Sequence, residues 1–118
     1  IIEDFVKKNY VNIKVVGCKT VREKNGIASS SRNFLLATKE KKIASKIYKL
    51  LTSKKKYLIK SKLLLKNIKR KIIKLGATKI DYVKLLDINK LEKPYKKNKR
   101  YKIFIAYYLR STRLIDNI

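Results

Sequence analysis

Residues 102–109, with the sequence KIFIAYYL, decide the fold of this chain. Alternating positions carry β-branched and aromatic side chains, which is typical of a β-strand with a buried face. Residues 79–88 (KIDYVKLLDI) have the same character, and residues 112–117 (TRLIDN) follow after a predicted tight turn at Arg110 and Ser111. Three short strands in this order predict an antiparallel meander.

Two amphipathic helices are predicted before the strands, over residues 38–51 and 58–75. Thr38 is the predicted N-cap, and Glu40 lies in the first turn, where a carboxylate favours the positive helix end. Gly76 follows the second helix as a predicted C′ residue. The apolar stripes are Ile43, Ile47, Leu50 and Leu51 in the first helix, and Leu58, Leu65, Ile68, Ile72 and Leu75 in the second. We therefore expect an α+β fold, in which an antiparallel helix pair covers one face of a three-stranded antiparallel sheet.

Other segments are predicted from shorter signals. Residues 2–8 read as the last turn of a helix, and the β-branched run at residues 10–16 predicts a buried strand. The lysine runs at residues 54–56 and 96–97 predict solvated loops. The polar, Pro94-containing segment LEKPYKKNKR at residues 91–100 is the connection that we expect to be most mobile.

The chain is strongly basic. It has 33 Lys+Arg residues against 8 Asp+Glu residues, a formal net charge of +25, and no histidine. Such a charge raises the alternative of a small basic nucleic-acid-binding protein of ribosomal type. The excess is nearly all lysine and accompanies abundant isoleucine, asparagine and tyrosine, which is the profile of an AT-biased genome. We therefore expect nucleic-acid binding to be weak and non-specific; a purely structural interaction module is a third alternative.

Length and cysteine content narrow the class of protein. A chain of 118 residues allows one small domain. Cys18 is the single cysteine, so no disulfide forms within the chain, and we expect a reduced cytoplasmic setting. Without a histidine to activate it, Cys18 is expected to be a small buried residue instead of a nucleophile.

No apolar run approaches the ~20 residues that span a bilayer. The chain begins without Met and reads as part of a longer protein.

A loop at residues 17–33, GCKTVREKNGIASSSRN, carries the main functional signal. Serine hydroxyls, backbone N–H groups and the Arg32 guanidinium are concentrated there, and together they form a donor set for a polyphosphate. The alternative is structural: the serines could cap a following turn, and Arg32 could pair with Glu23 or Glu40 on the surface.

Five short sequence words lie in order along the chain. They are Gly17-Cys18, Thr20-Val21-Arg22-Glu23, Gly26 with Ser30-Ser31-Arg32-Asn33, Asp81-Tyr82-Val83, and Thr112-Arg113-Leu114-Ile115-Asp116-Asn117. In their order and approximate spacing they resemble the pantothenate synthetase family, the ligases that join pantoate to β-alanine with ATP. The resemblance extends over nearly the whole chain and favours the functional interpretation of the loop.

The resemblance implies a two-step reaction. Pantoate and ATP would form pantoyl adenylate and pyrophosphate, and the amine of β-alanine would then displace AMP. It also implies that Ser29, Ser30, Ser31 and Arg32 bind the ATP phosphates, with Arg32 as the catalytic residue that neutralises developing charge. Val21 would lie against the adenine through its backbone.

Other matched residues are given structural roles. Thr20, Arg22 and Glu23 are interpreted as loop scaffolding. Arg113 and Asp116 are interpreted as a structural ion pair.

The resemblance also implies the context of the chain. Residues 1–20 would end a Rossmann-like nucleotide-binding domain, whose last helix turn and strand precede a C-terminal lid domain at residues 21–118. The family's His-containing phosphate motif has no counterpart here, so the isolated chain is expected to be inactive. ATP would be the co-substrate, with Mg²⁺ carried by the nucleotide and no metal site on the chain. The full-length enzyme would be a cytoplasmic homodimer with no specific nucleic-acid partner and no membrane partner.

Three positions depart from the family pattern. The family commonly has Pro where Lys19 stands, Met or Leu where Ser29 stands, and Gly where Arg110 stands. These departures affect the approach to the loop, an apolar anchor of the loop, and the turn before the last strand.

Overall fold

The computed structural model describes residues 2–10, 12–58, 62–88 and 100–118. Its elements are α1 (Ile2–Asn9), a 3-10 helix (Ser31–Leu35), α2 (Thr38–Leu58), α3 (Lys62–Leu75), β1 (Lys79–Asp87), β2 (Tyr101–Leu109) and β3 (Thr112–Asn117). The predicted connection at residues 91–99, including the lysines at 96–97, lies outside the described residues. Within the described residues, no helix is long and apolar enough to cross a membrane.

The three strands form one antiparallel sheet in the order β1-β2-β3, which confirms the predicted meander. A register shift between Ile80 and Tyr82 makes Asp81 a bulged residue in β1. The turn from β2 to β3 places Arg110 at φ 50°, a left-handed conformation that favours glycine. Arg110 therefore holds a conformation that few residues with a Cβ adopt.

Both helices cover the same face of the sheet, as predicted. Residues that pair across antiparallel strands share a face: Val83 lies opposite Ile105, and Tyr107 lies opposite both Ile80 and Leu114. This face joins the helix stripes in a single buried cluster, whose helix members include Ile47, Leu51, Ile68 and Ile72 and whose strand members include Val83, Leu85, Ile103, Ile105, Tyr107, Leu109 and Leu114. The α+β arrangement therefore rests on one core between the helices and the sheet.

The boundaries of α2 differ from the prediction at both ends. The Ala37 N–H donates to Glu40 Oε2 at 2.7 Å, and the Lys41 N–H donates to the Ala37 carbonyl at 3.0 Å. Ala37 therefore occupies the N-cap position predicted for Thr38, and Glu40 reaches back to it as in a capping box. The lysines at 54–56 lie in the helix, so their prediction as a loop was wrong. Lysine is a good helix former, and the apolar stripe continues to the buried Leu58.

A glycine ends α3, as predicted. Gly76 has φ +117°, its N–H donates to the Ile73 carbonyl at 2.9 Å, and the Ala77 N–H donates to the Ile72 carbonyl at 3.3 Å. These bonds form a Schellman motif. A Cβ at Gly76 would lie 2.8 Å from Cδ1 of Ile43, so the end of α3 lies beside the start of α2. The two helices are therefore antiparallel, as predicted.

One prediction for residues 2–18 is confirmed and two are wrong. A helix is present at Ile2–Asn9. Residues 12–16 form no strand, and Ile13 and Val16 are 56% and 68% exposed. A strand needs a neighbour for its backbone groups, and β1, β2 and β3 pair with one another and not with this segment. Cys18 is exposed and not buried, because it lies in this uncovered segment.

Tyr107 is expected to make stability fall in alkaline solution. Burial, with the charge of Asp116 as a smaller cause, raises the pKa of Tyr107 above its ordinary value of 10.0. Above pH 10.0 the unfolded chain loses this proton while the folded chain keeps it. The folded state then binds more protons, so the free energy of unfolding falls as pH rises, by about 1.4 kcal/mol per pH unit from this residue.

The measurement is urea unfolding of the parent and of Tyr107→Phe at several pH values between about 9 and 11. Other groups also affect stability in alkaline solution, so the quantity to compare is the difference between the two slopes. We expect a shallower decline for Tyr107→Phe. Parallel curves would show that Tyr107 does not cause the decline.

Candidate functional site

The loop at residues 17–33 carries the serine segment, which is Ser29 to Arg32, and its first part folds as a small hairpin. The Glu23 N–H donates to the Ile27 carbonyl and the Ser29 N–H to the Val21 carbonyl, both at 2.9 Å. Between them, the Gly26 N–H donates to the Glu23 carbonyl at 2.8 Å, and Gly26 has φ +91°. The backbone therefore fixes where the chain enters the serine segment.

Arg22 joins this hairpin to the last strand. Its Nη1 donates to Asp116 Oδ2 at 2.8 Å and its Nη2 to Asp116 Oδ1 at 3.0 Å. The same guanidinium donates to the carbonyls of Gly26 and Asn117, each at 3.1 Å, and lies 4.6 Å from the ring centroid of Tyr48. The hydrogen bonds with Asp116 raise the pKa of Arg22 by more than burial lowers it. Arg22 is thus fixed by the hairpin, β3 and α2 together.

A second set of polar contacts fixes the other side of the hairpin. Glu23 accepts hydrogen bonds from Nδ2 of Asn33 at 2.6 Å and Nδ2 of Asn25 at 3.1 Å. The hydroxyl of Ser45 in α2 donates to the Asn25 carbonyl at 2.7 Å, and the Asn25 side chain accepts from the Ile27 N–H at 2.9 Å. Glu23 and Arg22 are therefore scaffold residues, as predicted.

The serine segment follows the hairpin along the chain. The hydroxyl of Ser30 accepts a hydrogen bond from the Arg32 N–H at 3.3 Å and caps the 3-10 helix. The structural interpretation of a serine cap is therefore correct for Ser30. Ser29, Ser31 and Arg32 are exposed. Within the described part of the chain, Arg32 makes no ion pair with Glu23 or Glu40, because Glu23 is bound to asparagine side chains and Glu40 pairs with Arg110.

A cavity of about 240 Å³ lies against this segment. Three of the predicted site residues line it, namely Ser29, Ser30 and Arg32, whereas Val21 and Ser31 do not. The polar part of the lining also includes Asn33, Tyr48 and Asp116, and the apolar part includes Ile27, Ala44, Ile47, Leu51, Ile105, Tyr107, Leu114 and Ile118. The site therefore combines an apolar floor with a rim of polar side chains, in which Ser29, Ser30 and Arg32 supply donors.

Asn33 is the one buried polar residue of this rim, with 4% exposure. Its Nδ2 donates to Glu23 and, at 3.0 Å, to the Ala28 carbonyl. Its Oδ1 has no hydrogen-bond partner in the described structure, so it remains available to a donor. Asn33 lies in the loop that the sequence indicated, and its contacts are local. No local signal in the sequence identified Tyr48 or Asp116 as members of this site, because their contacts with Arg22 join distant segments.

The predicted pair of Arg113 with Asp116 is wrong. Arg113 Nε donates to Asp81 Oδ2 at 2.7 Å, and Asp116 pairs with Arg22. Among the residues that the structure describes, no group of three or more His, Cys, Asp or Glu side chains could hold a metal ion.

Comparison with known proteins places the chain in a family. The family model described as Pantoate-beta-alanine ligase matches residues 1–118. Pantothenate synthetase of Clostridioides difficile is 36% identical over 121 residues, which cover 99% of this chain and 43% of that protein. Pantothenate synthetase of Buchnera aphidicola is 37% identical over 125 residues, covering 99% and 42%. The chain thus spans less than half the length of these relatives.

The chain also matches solved structures. The pantoate-beta-alanine ligase of Francisella tularensis, solved in complex with beta-gamma ATP and β-alanine, matches with a TM-score of 0.69 and 31% identity, covering 99% of this chain and 37% of that one. Pantothenate synthetase of Thermus thermophilus matches in fold with a TM-score of 0.82 and 24% identity, covering 99% and 44%. Since the family model extends over all 118 residues, this chain belongs to the pantoate–β-alanine ligase family.

Proposed function

We propose that this chain is the C-terminal part of an ATP-dependent ligase that condenses pantoate with β-alanine, and that its serine segment binds the phosphates of ATP. The observation that carries the proposal is the position of Ser29, Ser30 and Arg32 on the rim of one cavity. The hairpin beneath them is fixed by Arg22 and Glu23. A relative solved with beta-gamma ATP and β-alanine supports the choice of substrates.

The proposed reaction places phosphate charge at this rim. An oxygen of the pantoate carboxylate attacks the α-phosphorus of ATP, the bond to the β-phosphate oxygen breaks, and pyrophosphate leaves. The amine of β-alanine then attacks the acyl carbon, the bond to AMP breaks, and the amine loses a proton. Negative charge grows on the departing phosphate oxygens in the first step, so fixed donors stabilise that transition state.

Each residue of the segment has a proposed role in that step. The planar guanidinium of Arg32 takes two phosphate oxygens at once, and the hydroxyls of Ser29, Ser30 and Ser31 donate to others. Ser30 already orients the Arg32 N–H through its cap, so the backbone there is ordered before ATP arrives. For Val21 we propose a contact of its backbone edge with the adenine ring; its side chain is 74% exposed and available for apolar contact.

The wider assignment follows from the same family. We propose that residues 1–20 belong to the nucleotide-binding domain and residues 21–118 to the lid domain, and that Mg²⁺ enters on the nucleotide. The complete enzyme is proposed to be a cytoplasmic homodimer without a nucleic-acid or membrane partner. Catalysis requires the part of the enzyme to which this chain has no counterpart, so we expect the isolated chain to be inactive.

The test is a chimaera in which this chain replaces the matching 43% of the Clostridioides difficile relative. Pantoate-dependent exchange between ATP and labelled pyrophosphate measures the first step without β-alanine. We expect exchange that depends on pantoate. A chimaera that folds, shown by circular dichroism and a cooperative thermal transition, but catalyses no exchange would contradict the proposal.

A further inference from the structure

We infer that Arg22 is a positioning residue for phosphate binding, and that it acts through Asp116 of β3. The inference rests on the proposed function of the serine segment and adds a residue pair that holds this segment in place. The pair joins two parts of the chain that are 94 residues apart.

The Arg22–Asp116 pair, called the joint here, is held rigidly by its geometry. Two parallel hydrogen bonds of 2.8 and 3.0 Å align the planes of the guanidinium and the carboxylate. The side chains are 21% and 13% exposed, so water competes little for these bonds. Stacking on Tyr48 blocks one face of the guanidinium, and the carbonyls of Gly26 and Asn117 accept from Nη1 and Nη2, so that each of these two nitrogens makes two hydrogen bonds. Arg22 therefore has a single arrangement that satisfies all of these contacts.

The joint is linked to the serine segment through Val21. Val21, the residue before Arg22, receives the Ser29 N–H through its carbonyl at 2.9 Å. A shift of the Arg22 backbone therefore moves Ser29 and the start of the 3-10 helix, which begins at Ser31. Asp116 itself lies on β3, whose backbone is paired with β2 and cannot follow such a shift. The position of the phosphate donors is thus set by the sheet.

Lysine cannot replace Arg22 in this arrangement. Its ammonium carries the same charge, yet it is a point donor that cannot bond both Asp116 oxygens and both carbonyls in one plane. Arg22→Lys therefore keeps the net charge and removes the joint. Arg113→Lys is a matched control, because Arg113 also lies on β3 and also donates to a carboxylate, at 2.7 Å, without contact to the loop.

The experiment uses the 118-residue chain and solution NMR. Amide hydrogen exchange is measured for Ser29 and Glu23 in the loop and for Ile105 in β2. Pyrophosphate is then added at ~0.2 M salt, where non-specific phosphate contacts are weakened, and the shifts of the Ser30, Ser31 and Arg32 amides are followed. The variants are Arg22→Lys, Asp116→Asn and Arg113→Lys.

For Arg22→Lys and Asp116→Asn we expect the exchange rate of the Ser29 amide to rise about 10-fold or more, because the hairpin can then open without unfolding of the sheet. The exchange rate of the Ile105 amide should stay at its parent value. Pyrophosphate affinity at the serine segment should fall about 10-fold, and Arg113→Lys should match the parent in both measurements. Slow Ser29 exchange in both Arg22→Lys and Asp116→Asn would overturn the inference. If the parent itself showed no pyrophosphate shifts in the segment, the proposed function of the segment would fail, while Ser29 exchange would still decide the positioning role.

Discussion

Replacing Arg32 with alanine should lower pantoate-dependent pyrophosphate exchange of the chimaera by roughly 10²-fold at saturating ATP, as the loss of one preorganised donor does in other enzymes. Arg32 is exposed on the cavity rim and, in the described structure, has no ion pair with a neighbouring carboxylate, so its charge is available to the nucleotide. In a site that excludes water, this charge stabilises a departing phosphate more than it would on an open surface.

Two variants test the reason for this loss. Arg32→Lys should restore little of the exchange, because an ammonium does not reproduce a bidentate fork. Lys24→Ala removes a positive charge from the exposed turn of the same hairpin and should leave exchange within about 2-fold of the parent, since exposed charges are screened by salt. Exchange by Arg32→Ala equal to that of the parent would show that Arg32 does not stabilise the phosphates.

Replacing Gly26 with alanine should destabilise the chain by about 2–4 kcal/mol. The φ of +91° is strained for any residue with a Cβ, and the added methyl group would overlap the ring of Tyr48. Tyr48 cannot move freely, because its ring stacks on Arg22. For a domain of this size, such a loss should lower the Tm by roughly 10–25 °C in a calorimetric scan.

Gly17→Ala is the matched control for this substitution. No atom lies within 4 Å of a Cβ at Gly17, and its φ is outside the left-handed region, so the change should be within about 0.5 kcal/mol. Adding Tyr48→Leu to Gly26→Ala should cost less than the sum of the two single changes, because the smaller side chain relieves the overlap. Equal unfolding free energies for Gly26→Ala and Gly17→Ala would refute the expected overlap.

The sequence predicted the sheet and the helices well because each has a local period. Alternation in β2 and the stripes of α2 and α3 depend only on neighbouring residues. The predictions failed where contacts with residues distant in the sequence determine the local structure. The run at residues 10–16 has the composition of a strand, but the strands that the structure describes do not pair with it. The lysines at 54–56 have the composition of a loop, but they continue a helix whose apolar stripe reaches Leu58.

In the candidate site, too, the sequence indicated local features but not the contacts between distant segments. The donors of the serine segment predicted a phosphate site, and the family resemblance predicted Arg22 and Glu23 as its scaffold. Neither indicated which residues Arg22 and Glu23 contact. The proposed pairing of Arg113 with Asp116 failed because residues three apart on a strand point to opposite faces, whereas such a spacing brings side chains together only on a helix. Arg113 accordingly meets Asp81, and Asp116 faces the helices and meets Arg22.

The separation between Arg22 and Asp116 has a consequence for biosynthesis. At about 5–20 residues per second, the ribosome adds Asp116 roughly 5–20 s after Arg22. During this interval the hairpin can form its own backbone hydrogen bonds, but Asp116, the carboxylate that Arg22 binds in the folded chain, has not been added and β3 is incomplete. Contacts between distant residues generally form after local ones. The serine segment, although it is translated before the strands, therefore reaches its final position only after the last strand has joined the sheet.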